Sequence, residues 1–204
     1  MDSLCFSHGL IDVGGRIVLR PMQGTYAEGL WISYWRNRER SRYFCKNVVT
    51  PTSHMRWFAG RSPLDEVWTV HAKADSQRPV GLTSITVDSG LPTGEYGRTL
   101  VDEYWQGRNI GREIEYTAMM IGFEFLRLEK LWGELYVDNA AIAHVHDAIG
   151  WTRIGVNVPG HVYPDGDVIY IECTREQWTA MRQEFADWMR EQFESEIRLG
   201  EWSR

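Results

Sequence analysis

A stretch rich in glycine and arginine, WQGRNIGREI, occupies residues 105–114 and follows a run with the pattern of a β-strand. The first N–H groups of a helix have no partner within it, and the helix dipole adds about half a positive charge there. Gly107 and Gly111 let the backbone approach a ligand without an intervening Cβ. Arg108 and Arg112 can add charge-assisted hydrogen bonds. The stretch predicts a phosphate-binding turn, with an ordinary tight turn as the alternative.

Two common phosphate-binding motifs do not match this stretch. It lacks both the GxGxxG pattern of dinucleotide-binding proteins and the Gly-Lys-Ser/Thr ending of a P-loop. The strands before it have the pattern of an antiparallel meander rather than of the first unit of a parallel sheet. A different kind of phosphate ligand is therefore indicated.

Along the rest of the chain, the spacing of apolar residues switches between the repeat that is typical of strands and the repeat that is typical of helices. These elements must position the turn. The pattern predicts a strand, two helices, three strands, a helix, a strand, a helix, two strands and a final helix. That order is typical of an α+β protein with one sheet. Gly97 marks a bulge or a close backbone approach. Before the final helix, the elements cover 16–22, 24–40, 50–60, 65–74, 78–88, 93–101, a helix from 111, 131–138, 139–150, 151–158 and 167–174.

Two of these helices carry apolar stripes that predict their buried faces. The stripe of the first helix consists of Ala27, Leu30, Trp31, Tyr34 and Trp35. The stripe of the helix from Gly111 consists of Ile114, Ala118, Ile121 and Phe125.

The end of the chain predicts a separate amphipathic helix. Thr174 and Gln177 have the spacing of a capping box, and Gly200 suits a helix stop. We therefore divide the chain into a domain of residues 1–173 and a helix in residues 174–204. The helix must bury its stripe, either on its own domain or in a homodimer contact; the stripe is Trp178, Met181, Phe185, Trp188 and Met189.

Composition excludes several classes of protein. The 204 residues carry a net charge of −6, which disfavours general nucleic-acid binding because that needs a cationic surface. Cys5, Cys45 and Cys173 lack metal-ligand spacing and are expected to be reduced thiols, without a bound metal. No run of about 18 apolar residues occurs, and the first ten residues lack a signal-peptide pattern. We expect a cytoplasmic protein without a membrane partner.

Several segments together resemble one known family. The run Gln106-Gly107-Arg108-Asn109-Ile110-Gly111 is similar to motif A, Q/R-x-x-G-x-G/A, of the GCN5-related N-acetyltransferase (GNAT) family. LYVDNAAIAHVHDAIGW resembles the family's next strand and helix, and VLRPM its first strand. The likeness spans about residues 16–175. It implies a single mixed, mostly antiparallel sheet flanked by helices, here with an extra C-terminal helix. Within the family, it points to the ribosomal-protein and amino-sugar-nucleotide acetyltransferases.

The resemblance also implies acetyl-CoA as co-substrate. Backbone amides of the motif would bind its pyrophosphate, which makes residues 106–112 cofactor-binding, including Ile110 and Arg112. Asn139 would contact the pantetheine arm, and it also suits a helix N-cap. A main-chain N–H near Leu100 and Val101 would polarise the thioester carbonyl.

One motif position departs from the family pattern. Asn109 stands where the family has its first motif glycine. Asparagine is the residue other than glycine that best tolerates the left-handed region, so we expect Asn109 to adopt it. The alternative is that its side chain obstructs the phosphate.

Direct acetyl transfer needs a base, because an alkyl amine has a pKa near ~10.4 and must lose a proton before it attacks. Glu95 is the predicted base. It lies at the start of the strand before the motif, where family members often carry a carboxylate. An exposed strand glutamate is the alternative interpretation. His71 on the neighbouring strand could also serve, whereas Asp102 and Glu103 are interpreted as strand-end or surface carboxylates.

The departing thiolate needs a proton donor, and many family members have tyrosine at the position of His146. A thiol has a pKa near ~8.5, so an imidazolium could protonate the leaving sulfur. A histidine on the helix surface is the alternative interpretation. His144 is two residues away on the helix, so the two are not expected to act together.

The sequence says least about the molecule that accepts the acetyl group. RNRERSRYFCK (residues 36–46) is basic and aromatic, which suits an anionic acceptor such as an amino sugar nucleotide or simply a solvated face. The predicted function is acetyl transfer to a primary amine of a small molecule. The alternatives are acetylation of a protein N-terminus and a catalytically silent CoA-binding protein.

Overall fold

The computed structural model describes residues 9–38, 48–157 and 167–199. Within these ranges the elements follow the predicted order. The strands are β1 Ile17–Pro21, β2 Asp65–Ala72, β3 Asp75–Val87, β4 Thr93–Val101, β5 Lys130–Tyr136, β6 Thr152–Val156 and β7 Val168–Thr174. The helices are α1 Tyr26–Arg36, α2 Pro51–Ala59, α3 Ile110–Met120, α4 Ala140–Ile149 and α5 Arg175–Leu199.

The strands form one sheet in the order β1-β2-β3-β4-β5-β7-β6. Every neighbouring pair is antiparallel except β4 and β5, which are parallel. A parallel pair needs a crossover connection, and α3 supplies it between β4 and β5. The predicted mixed, mostly antiparallel sheet is therefore confirmed.

Helices cover both faces of this sheet. Successive residues of a strand point to opposite faces, so Val67 and Trp68 of β2 enter different cores. Val67 packs with Ile32 and Trp35 of α1 in a small core. Trp68 belongs to the main core, to which α3, α4 and α5 contribute Ile114, Ile149 and Trp178.

The C-terminal helix α5 packs against the main core of its own chain. Trp178 is 1% exposed, and its ring lies 5.1 Å from that of Tyr116 and 5.9 Å from that of Phe123. Its indole N–H donates to Glu124 over 2.8 Å. The division into a domain and an appended helix, and any homodimer contact, stay predictions. None of the helices in the described ranges combines the length and apolarity of a transmembrane segment.

The predicted apolar stripe of α1 was partly wrong. Leu30 and Tyr34 are 52% and 48% exposed, and the buried residues are Gly29, Ile32 and Trp35. The reason is the close approach of α2, because a Cβ on Gly29 would lie only 2.9 Å from the Cα of Pro51. Contact at this glycine selects the face that α1 buries.

The predicted stripe of α3 was wrong at its last member. Ile114, Ala118 and Ile121 are buried, but Phe125 is 55% exposed and Phe123 is buried in its place. After Met120 the helix widens into a π-helical turn over Ile121–Phe125, where Leu126 N–H bonds to the Ile121 carbonyl. The wider turn changes which side chain faces the core.

Candidate active site

A cleft opens where β4 and β5 separate. The two strands pair only over residues 93–95 and 130–132. Beyond these pairs, residues 96–101 and 133–136 line opposite sides of a cleft of about 1100 Å³. This volume is slightly above the range of about 300–1,000 Å³ for ordinary ligand pockets, so the cleft can hold an extended molecule.

A β-bulge lies in β4 where the strand leaves β5. Residues 82 and 84 of β3 pair with Leu100 and Gly97, so Arg98 and Thr99 oppose a single residue. Arg98 adopts φ +53°, and a bulge of this kind bends the strand and increases its twist. The sequence placed the irregularity at Gly97, one residue too early.

The turn between β4 and α3 presents an uncapped helix N-terminus to the cleft. The amides of Arg112 and Glu113 donate to the Asn109 carbonyl over 3.1 and 3.3 Å. For residues 107–111, the described part of the chain contains no acceptor for the backbone amides, and the Asn109 side chain makes no cap. Consecutive partnerless donors at a helix start are suited to a polyvalent anion.

The backbone of this turn twice enters the left-handed region. Gly107 has φ +75° and Asn109 has φ +62°. The conformation predicted for Asn109 is thus confirmed. A Cβ on Gly107 would meet nothing within 4 Å, so its backbone conformation, and not crowding, favours glycine there.

A buried ion pair anchors the turn to β1. Arg16 and Glu113 are 2% and 0% exposed, and Arg16 Nε donates to the Glu113 carboxylate. The backbone N–H of Arg16 donates to the same carboxylate over 2.8 Å. Arg16 Nη2 also donates to the Arg108 carbonyl over 2.7 Å. Arg16 therefore holds the Arg108 carbonyl, and with it the backbone of the turn, in place.

The polar side chains of the turn have protein partners of their own. Gln106 Nε2 donates to the Val101 carbonyl over 2.9 Å, which ties the turn back to β4. The Arg108 guanidinium lies 4.8 Å from the centre of the Tyr104 ring. Arg112 Nη2 is 3.5 Å from His144 Nε2.

On the facing side of the cleft, Asn139 precedes the first residue of α4. Its side chain accepts a hydrogen bond from the Ile142 N–H over 3.5 Å, so the predicted N-cap is present. Asn139, Leu100 and Val101 all line the cleft. The part of β4 that holds Leu100 and Val101 pairs with β3 but not with β5, so one backbone edge faces the cleft.

Glu95 lies at the end of the cleft where the strands part. Burial raises the pKa of the Glu95 carboxyl above its ordinary value; Arg98 opposes this effect, and the carboxylates of Glu134, Asp65 and Asp88 reinforce it. Arg98 is itself paired with Asp65 over 2.6 Å. A carboxylate with a raised pKa is a better proton acceptor than an exposed one.

His146 also lines the cleft, and it is not a surface residue. It is 5% exposed, and its Nδ1 lies 2.6 Å from Oε1 of Glu115, which is fully buried. The alternative of a histidine on the helix surface was therefore wrong. His144 contacts Arg112 instead, so the two histidines make different contacts as expected.

The other acidic residues near the turn and His71 make contacts with other side chains or backbone groups of the protein. Asp102 is 3% exposed and accepts hydrogen bonds from Trp35 Nε1 and the Tyr104 N–H, over 2.8 and 3.0 Å. Glu103 forms an ion pair with Arg38. His71 is buried, and its Nε2 lies 3.1 Å from Thr69 Oγ1. In the described part of the chain it does not line the cleft.

Comparison with known proteins decides the family. Residues 16–152, more than half of the chain, match the family model described as the acetyltransferase (GNAT) domain. The chain belongs to the GNAT acetyltransferase family. A search of curated proteins finds no match for this GNAT sequence.

Solved structures show the same fold. A GCN5-related N-acetyltransferase from Brucella melitensis has a TM-score of 0.74 at 17% identity, covering 91% of this chain and 87% of that one. The spermidine N-acetyltransferase from Vibrio cholerae, solved with CoA and spermine, has a TM-score of 0.69 at 16% identity, covering 80% and 98%. The ribosomal-protein-S5-alanine acetyltransferase from Vibrio fischeri has 0.66 at 17%, covering 84% and 99%.

This GNAT protein is an N-acetyltransferase that uses acetyl-CoA. The chain fits that co-substrate, because the amides of residues 107–111, which have no acceptor within the described ranges, suit a diphosphate and the cleft suits an extended molecule. In the described ranges, no group of three or more His, Cys, Asp or Glu side chains could hold a metal ion.

Sequence reasoning missed the residues behind the site. Arg16, Glu113 and Glu115 are buried charges that contact residues far away along the chain. Glu113 and Glu115 were visible only as charged residues within an apolar helix pattern. That signal indicates burial with a partner, but it does not identify the partner.

Proposed function

We propose that this protein transfers the acetyl group of acetyl-CoA directly to a primary amine of a cationic small molecule. The observation that carries the proposal is the row of partnerless amides at residues 107–111, which opens on the same cleft as Glu95 and His146. In this proposal residues 106–112 bind the diphosphate, and Asn139 contacts the pantetheine arm.

Each step of the transfer has a proposed residue. Glu95 takes a proton from the amine, because the uncharged amine is the nucleophile. A main-chain N–H near Leu100 and Val101 stabilises the negative charge that develops on the thioester oxygen. His146 delivers a proton to the departing sulfur.

The charges near Glu95 favour a cationic acceptor over an anionic one. Glu95 and Glu134 line the cleft, and Arg98, which lines it too, is already paired with Asp65. The basic, aromatic stretch that suggested an amino sugar nucleotide lies mostly outside the described residues. Of its described residues 36–38, Arg38 is paired with Glu103 over 2.8 Å. The Vibrio cholerae neighbour, a spermidine N-acetyltransferase, is consistent with a polyamine-like acceptor.

The experiment is acetyl-CoA turnover with panels of polyamines, amino sugar nucleotides and N-terminal peptides, beside calorimetry with CoA. We expect turnover with small cationic amines and binding of CoA. Turnover with peptides alone would favour the protein N-acetyltransferase alternative. CoA binding without turnover on any acceptor would favour the silent alternative, and no heat from CoA would overturn the proposal.

The buried ion pair of Arg16 and Glu113, which anchors the turn, leads to one prediction. Replacing Arg16 with lysine keeps a positive charge near Glu113 but loses the fork that also reaches the Arg108 carbonyl. We expect the Kd for CoA to rise about tenfold, which corresponds to one charge-assisted hydrogen bond of about 1.5 kcal/mol. Titration calorimetry measures it. The matched control is Arg20→Lys on the exposed part of β1, and equal affinities in both variants would contradict the anchoring role.

A further inference from the structure

A buried carboxylate stands directly behind His146. Glu115 belongs to α3, the helix whose N-terminus forms the anion-binding turn, and it is fully buried. Its Oε1 lies 2.6 Å from Nδ1 of His146 on α4. With Nδ1 engaged, Nε2 is the ring nitrogen left for the cleft that His146 lines.

This carboxylate has few other means of balancing its charge. Its second oxygen, Oε2, is buried and has no hydrogen-bond partner in the described part of the chain. A buried carboxylate without a counter-charge is unfavourable, and a protonated imidazole at hydrogen-bond distance is a suitable counter-charge. The arrangement therefore places a negatively charged hydrogen-bond acceptor directly behind the ring.

The titratable groups that face the pair are the phenol of Tyr96 on β4 and the thiol of Cys173 on β7. Burial, and next the Glu115 carboxylate, raise the pKa of Tyr96 well above its ordinary value. The same two causes raise the pKa of Cys173 to about 12. Both groups therefore stay neutral near neutral pH, and neither adds a charge beside the pair.

We propose that Glu115 and His146 work as a carboxylate–imidazole pair, in which Glu115 fixes the ring and holds it protonated so that Nε2–H is the acid for the leaving thiolate. The inference rests on the proposed function, and it assigns Glu115 as a positioning residue. A histidine with a buried carboxylate replaces the tyrosine that many family members carry at the position of His146.

The step balances with the groups present. The ammonium first passes one proton through Glu95 to solvent. The uncharged amine nitrogen then forms a bond to the acetyl carbon, and the second proton that it loses passes to Glu95. The bond between that carbon and sulfur breaks, and the sulfur keeps the electron pair and takes the proton from Nε2 of His146. The products are the amide and the free thiol. Glu95 then releases its proton to solvent, and His146 takes one up.

The first test replaces Glu115 with glutamine, which keeps the shape but removes the charge. We expect kcat to fall by about 10²-fold, the lower end of what a general acid contributes, with the Kd for CoA unchanged. The alkaline fall of kcat should move to lower pH, because the ring loses the charge that keeps it protonated. Glu184→Gln, on the exposed face of α5, is the matched control. An unchanged kcat and pH profile in Glu115→Gln would overturn the inference.

The second test measures coupling. His146→Phe should lower kcat to a similar extent, and the double variant with Glu115→Gln should lose little more, because both remove one function. In a His146→Tyr background the phenol supplies its own proton, so the penalty of Glu115→Gln should shrink. A full additional loss in either background would assign Glu115 a merely structural role.

A measurement on the unaltered protein covers the case in which Glu115→Gln does not fold. Nitrogen-15 NMR of the histidine rings, with His146 assigned by its loss in His146→Phe, should show a proton on Nδ1 throughout the active pH range. Nε2 should lose its proton where kcat falls on the alkaline side. An unprotonated Nδ1 overturns the inference.

These readouts separate the two proposals. If no amine is acetylated, the proposed function fails, and the NMR result still decides whether the pair exists. If transfer proceeds with unchanged kcat in Glu115→Gln, only the inference about the pair fails.

Discussion

Glu95→Gln is expected to lower kcat/KM by about 10²- to 10³-fold at neutral pH, within the range that general-base catalysis contributes. The amide cannot accept the amine proton, whereas the partly buried carboxylate can. Because burial raises the pKa of Glu95 above 4.5, the native protein should lose activity on the acid side at a pH above the ordinary carboxyl range. That acidic limb should be absent from the variant. Steady-state rates measured across pH test both statements.

The same substitution should stabilise the folded protein. A carboxyl whose pKa is raised on folding binds its proton more tightly in the folded state than in the unfolded state. The free energy of unfolding therefore falls as pH rises from 4.5 through the raised pKa, and the penalty is complete above it. Glutamine carries no such penalty, so the unfolding midpoint of Glu95→Gln should exceed that of the native protein at neutral pH. The difference should disappear at a pH below 4.5.

Glu66 offers a matched control for Glu95. It lies on β2, and burial likewise raises its pKa, but it is not among the described residues that line the cleft. Glu66→Gln should raise the unfolding midpoint and leave turnover intact. A Glu95→Gln variant with native turnover at every pH would refute the assignment of Glu95 as base.

Gly111→Asp should weaken CoA binding by at least about 10²-fold, which corresponds to about 2.8 kcal/mol. The new carboxylate would stand among the amides proposed to bind the diphosphate. Two like charges about 4 Å apart repel by about 4 kcal/mol near a protein surface. The nearest atom to a Cβ at this position is Val145 Cγ2 at 3.7 Å, an ordinary contact, so the side chain fits.

Loss of the fold cannot explain this result, because an acidic side chain in the first turn of a helix interacts favourably with the helix dipole. The unfolding midpoint of Gly111→Asp should equal or exceed that of the native protein. Gly155→Asp on β6, where a Cβ would meet nothing within 4 Å, adds the same charge at a position that is not among the described residues lining the cleft, and should bind CoA normally. Equal CoA affinity in the two variants would contradict the assignment of the turn.

The turn could be read from the sequence because its chemistry is local. Gly107, Asn109 and Gly111 lie within five positions, and the conformations that they adopt depend on their own side chains and on the helix that follows. Glu95 and His146 could be placed only through resemblance to a family, because the sequence separates them by fifty residues.

Other predictions failed where packing between elements decided the outcome. The buried face of α1 depends on α2 lying against Gly29. Periodicity treats each helix as regular, so it could not anticipate the π-helical turn that exposes Phe125.

By itself the sequence determined the order of the elements, an α+β protein with one sheet and the place of the turn before α3, because these follow from periods, glycines and helix ends along a continuous stretch. The mixed, mostly antiparallel arrangement of that sheet came from the resemblance to the family. Only the tertiary structure decided that Arg16 fixes the Arg108 carbonyl and that Glu115 lies behind His146. Buried charges find their partners through the packing of α3 against β1 and α4. The spacing of residues along the chain does not predict those contacts.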